Sequence, residues 1–282
     1  VEKRQLPGHI AAALSGAGGT SDSAGVSWEG RDLSGPGNPL HNFDRDDGAA
    51  DSGVVAAREA LRAGTGTEAA VVAALARARV FVPVLAQLGE EGAGAHGLAA
   101  DKQADMALVT LQAPDGRRAM PVFTTTEALA AWHPQARPVA VYAPRAALSA
   151  VAEKSELLVV DPGAELTFVV RRPAVWALAK QQEWTPSYQD ESLTGTVGAA
   201  VEGEPDVLRA QLAAGSGVAT RTAGGSIVAG GGSGPELALV LQVRDGLGPA
   251  DLQTIARRIQ HALGADPQFA ERVDSLEVRF IR

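Results

Sequence analysis

Helical spacing of apolar residues first becomes clear in "ADSGVVAAREALRAG", where Val54, Val55 and Leu61 mark one face, Asp51 stands at the capping position and Gly64 at the stop. "TGTEAAVVAALARAR" repeats the grammar, with Thr65 and Glu68 at capping-box spacing. Continuous apolar runs follow. "VFVPVLAQL" reads as a strand whose Pro83 has no N–H for a ladder, which predicts an edge or a bulge. "MALVTLQ" and "RAMPVFT" flank "APDGR", in which proline presets φ and glycine accepts a positive one, so the three predict a hairpin. Next come a helix in "TTTEALAAW", with Thr124 and Glu127 again at capping-box spacing, a strand in "PVAVYA", a helix in "PRAALSAVAE" and strands in "ELLVV" and "LTFVV". A helix in "RRPAVWALAKQQ", with Pro173 in its first turn, closes the series.

This order, βββαβαββα, mixes hairpins with crossovers and predicts an α+β domain, a mixed β-sheet with flanking helices, over residues 42–186. Residues 1–41 are rich in Gly, Ser, Ala and Asp without periodic apolar positions, and read as a disordered tail. The polar stretch "SYQDESLTGTVGAAVEG", residues 187–203, reads as a partly helical linker. Residues 204–282 predict a smaller α+β domain. In it "EPDVLRAQLAAG" is expected as a short helix and "VATRTAGGSIVAGGGSGPELALVLQV" as strand, glycine loop and strand. Leu252, Ile255, Ile259 and Leu263 then mark an amphipathic helix, followed by a short helix and the strand "SLEVRFI".

Composition narrows the chemistry. The chain has 282 residues, enough for two cores, and aromatics are only 4% of it, so packing must be aliphatic. A formal charge of -8, with basic residues never more than two in a row, as in Arg117–Arg118, Arg171–Arg172 and Arg257–Arg258, argues against a nucleic-acid partner. The absence of cysteine removes disulfides, thiolate metal sites and a Cys nucleophile. The basic start and short apolar run at the N-terminus are interrupted by Pro7, Gly8 and His9, and are not expected to act as a signal peptide. No run reaches the ~20 apolar residues of a transmembrane helix. The expectation is a cytoplasmic protein with no membrane partner.

The candidate motifs each have a structural alternative. Gly92, Gly94 and Gly97 fit G-x-G-x-x-G after a strand, but "LAADKQAD" offers no helix to hold a pyrophosphate, so the run is read as a loop. Asp44, Asp46, Asp47 and Asp51 do not fit a calcium loop, because Phe43 and Arg45 fall at ligand positions. The five histidines are scattered. No serine elbow or P-loop occurs. No catalytic residue, cofactor or metal is therefore expected. Asp101, Lys102 and Asp105, facing Arg117 and Arg118 across the hairpin, are expected to form a charged rim that binds a protein partner. The competing reading makes this loop the site of a small-metabolite sensor or an enzyme.

The strings "VSWEGRDLSG", "DKQADMALVTL", "RRPAVWALAKQQEWTPSY" and "ERVDSLEVRF" together resemble the actinobacterial SseB family, from Val26 to the C-terminus. The resemblance implies an SseB N-terminal domain over 42–186, a smaller SseB-type C-terminal domain, and a non-enzymatic protein associated with enhanced serine sensitivity. Ser52, where proline is expected after Asp51, and the glycines of "LTGTVG" and "AGGSIVAGGGSG" depart from the pattern.

Overall fold

The computed structural model describes residues 43, 45–87, 105–113 and 115–282. The stretch read as a tail, the glycine run 92–97 and Asp101 and Lys102 lie outside the described residues. Within these limits the chain has an α+β fold, with α1 (Ser52–Arg62), α2 (Glu68–Leu75), α3 (Thr126–Trp132), α4 (Ala143–Ala152) and α5 (Arg172–Lys180) around the first sheets. Helices α6 (Leu193–Val201), α7 (Pro249–Ala265) and α8 (Pro267–Arg272) belong to the C-terminal half.

Strand β1 (Arg79–Gln87) is central, between β2 (Asp105–Leu108) and β5 (Arg137–Tyr142), both antiparallel to it. A second sheet runs β3 (Leu111–Gln112), β4 (Arg118–Val122), β6 (Leu157–Val160), β7 (Phe168–Val170), with β4 and β6 parallel. The two are joined where Phe81 and Phe123 exchange backbone hydrogen bonds of 2.8 Å each way.

Pro83 is thus not in an edge strand, contrary to expectation, and the register shows how a central proline is tolerated. The bonds of Phe81 to Phe123 make its cross-strand pair with Ala140 a non-hydrogen-bonded one. Two residues on, Pro83 faces Pro138 in another such pair, so neither ring needs to donate to the other. On the opposite side Val109 N–H reaches Pro83 O at 3.5 Å with no return donor. The β2 ladder ends there, and "MALVTLQ", expected as one strand, divides into β2 and β3 on different partners. Pro138 in turn points its missing donor at the free edge of β5 and blunts it. The expected hairpin forms, with Leu111 opposite Ala119 and Gly116 at φ +86°.

Both capping-box expectations are displaced by residues nearer the helix. Thr67 and Thr125, not Thr65 and Thr124, accept from the N–H groups of Ala70 and Ala128. Thr124 is buried instead, giving its N–H and hydroxyl to Asp161 at 2.7 and 2.8 Å. Asp51 caps α1 as expected.

The C-terminal sheet runs β8 (Val207–Ala214), β11 (Leu237–Val243), β12 (Leu276–Ile281), with β11 parallel to β12 and antiparallel to β8. Residues 204–215, expected as a helix, supply β8. Leu, Arg, Gln and Ala favour helix individually, but pairing with β11 and the inward placement of Ala210 and Leu212 prevail. The pair β9 (Ala219–Arg221) and β10 (Ile227–Gly231) carries Val228 into the first core, beside Leu61, Val72 and Phe168. A second core gathers Leu239, Leu241, Ile255, Ile259 and Leu263. The stretch read as a linker holds a 3-10 turn (Ser187–Gln189) and α6, whose Leu193 and Val197 are buried in that second core.

Candidate functional site

Two clusters of charge lie on either side of α5, one buried and one open. The buried one is a seam between the cores. Arg171, 1% exposed, donates to the carbonyls of Gly234 (2.5 Å) and Gly217 (2.9 Å). Its guanidinium lies 3.8 Å from Asp274, which also receives Arg117 Nη1 at 2.8 and 2.9 Å. A β-carbon on Gly217 would fall 2.0 Å from the backbone of Gly234, so the strand ends meet this closely only with glycine there.

Nearby, Glu236 is fully buried and accepts from the N–H groups of Ser187 (3.2 Å) and Asp274 (3.0 Å). Burial pushes its carboxyl above the usual carboxylate range, against those hydrogen bonds and the charge of Arg171. Glu68, expected in a capping box, bridges the halves by accepting from Tyr188 Oη (2.8 Å) and Gly231 N (3.0 Å). Burial and the Glu68 carboxylate together raise the Tyr188 phenol far above its ordinary value. Arg172 adds bonds to the carbonyls of Ala270 (2.9 Å) and Val273 (2.7 Å).

The structure places three of the expected rim residues. Arg117 is held by Asp274 and, through Nε, by Asp115 at 2.7 Å, so it ties the hairpin to the C-terminal half. Arg118 opens β4 and is half-buried. Asp105 opens β2, its backbone opposite Gln87. Whether these residues meet Asp101 and Lys102 lies outside the described residues.

The open cluster is a groove of about 320 Å³ between α5, the segment that follows it, and α8. Helix α5 ends at Gln181 in the left-handed conformation (φ 54°), a place glycine usually takes, and the chain doubles back. Glu183 and Trp184 therefore line the same groove as Trp176 and Lys180. Trp176 and Lys180, four apart, are neighbours on one helical face. The Lys180 ammonium sits 5.5 Å from the Trp176 ring centre and 3.0 Å from Glu271. Arg272 is drawn to Asp190 (2.8 Å) and Ser192 Oγ (2.7 Å). Burial opposes ionisation of Asp190, but the hydroxyl of Ser192 and the guanidinium of Arg272 outweigh it and hold the carboxyl below its usual range.

Sequence reading did not single out this groove. The available clue was two of the chain's four tryptophans within one short string, at 176 and 184, in a protein poor in aromatics. Among the described residues no group of three or more His, Asp or Glu is placed to hold a metal ion. No helix of the described chain is long and apolar enough to cross a membrane.

The fold and groove define an α+β protein with a surface recess lined by tryptophan and charge. Residues 54–177 match the SseB protein N-terminal domain family, which supports the SseB family for this part of the chain. No curated protein matches it.

Proposed function

We propose that the chain is a non-catalytic SseB-like protein, an adaptor or regulator linked to serine sensitivity and amino-acid metabolism, which docks a protein partner in the groove between α5 and α8. One observation carries this reading: Trp176 presents 43% of its surface to solvent in a groove edged by Lys180, Glu183 and Glu271. Exposed tryptophan with a charged border is the composition of an interface anchor. The buried charges of the seam, by contrast, are engaged with one another and hold the halves together.

The sensor-or-enzyme reading of Asp101, Lys102 and Asp105 with the hairpin arginines has weaker support, since Arg117 is already bound to Asp115 and Asp274. Affinity purification from the native host with the wild-type chain and with Trp176→Ala tests the proposal. The partner should be recovered with the first and lost with the second, while the circular dichroism of the two agrees. Equal recovery would overturn it. A thermal-shift screen against amino acids and nucleotides tests the alternative, because a ligand bound only by the native state raises Tm.

A further inference from the structure

We propose that the groove takes a basic peptide: an arginine or lysine side chain of the partner lies on Trp176, where Lys180 now rests, with its charge against Glu183 and Glu271. This rests on the reading of the groove as a docking site and names the chemistry of its occupant. Three observations point the same way.

The first is the charge balance. The groove is lined by three carboxylates, Asp190, Glu183 and Glu271, and by two cations, Lys180 and Arg272. Arg272 is engaged by Asp190 and Ser192. Glu183 is exposed and makes no ion pair or hydrogen bond among the described residues. An unanswered negative charge remains.

The second is that the Trp176 face already receives a cation, and loosely. Lys180 stands 5.5 Å from the ring centre, whereas Arg79 stacks on Phe81 at 4.1 Å inside the fold. The side chains of Lys180 and its partner Glu271 are 44% and 67% exposed, so the pair is weak and its lysine can swing aside. Once it does, an indole face and two carboxylates remain, a set suited to an incoming guanidinium or ammonium.

The third is the overall charge of -8, which favours encounter with basic partners.

Lys180 is then a built-in competitor, and this gives the test its sign. A short capped peptide with two arginines, and a matched glutamate peptide, are titrated into the full chain at near-physiological salt and followed by calorimetry. The wild-type chain should bind the arginine peptide and not the glutamate one. Trp176→Ala should weaken binding by about threefold to tenfold, and Trp176→Phe by less. Glu183→Gln should weaken it several-fold, and Lys180→Ala should tighten it several-fold. Preference for the glutamate peptide, or weaker arginine binding by Lys180→Ala, would overturn the proposal. If the host partner requires Trp176 while arginine-peptide affinity is the same in Trp176→Ala, the docking reading stands and the basic occupant is wrong. If neither depends on Trp176, both fall.

Discussion

Arg171 stands at the start of α5 and Lys180 closes it, nine residues further on in one stretch of sequence. Arg171 is enclosed, with two carbonyls and Asp274 fixed around it. Removing such a partner strands a desolvated charge. Lys180 reaches over Trp176 to an exposed glutamate and keeps much of its water, so its pairing is worth little and is easily exchanged. The same helix therefore has one end committed to the fold and one end open to a partner. Burial, not residue type, separates the two.

The comparison is broken most directly in the seam. Asp274→Ala leaves the buried Arg171 without a carboxylate and Arg117 with Asp115 alone, and should cost about 3–5 kcal/mol in urea unfolding. Glu68→Ala should cost about 2–3 kcal/mol, because the Tyr188 hydroxyl and the Gly231 N–H both lose a buried acceptor.

Titration of Glu236 sharpens the picture further. Its carboxyl is raised in the folded state, so the native form holds the proton more tightly. Its contribution to stability is full below the unfolded value and is lost as pH rises through the folded one. Glu236→Gln should remove this part of the pH dependence, leaving a flatter profile above the usual carboxylate range than the wild-type protein shows. At the open end, Lys180→Ala should change stability by less than about 1 kcal/mol.

The course of the chain through the first sheets was legible because turn chemistry and apolar runs coincide there: "APDGR" sets the hairpin, Asp51 caps α1, and Pro173 starts α5. The failures were non-local. The division of "MALVTLQ" is decided by Pro83, a residue of another strand. Strand β8 is made of helix formers held by β11. Glu68 had the spacing of a cap, but Tyr188 and Gly231 claim it from more than a hundred residues away.

The same limit applies to function. Sequence directed attention to charges near the hairpin, and for Arg117 the folded partner is Asp274, distant in sequence. The groove depends on the left-handed turn at Gln181 and on α8, neither of which leaves a local pattern in the neighbourhood of Trp176.

Equilibrium urea unfolding of Arg171→Ala beside Lys180→Ala tests the division along α5 most directly. The account predicts a loss of about 3–5 kcal/mol for Arg171→Ala and less than about 1 kcal/mol for Lys180→Ala. Comparable losses for the two would contradict it, since Lys180 would then support the fold and would not be free to give way to a ligand.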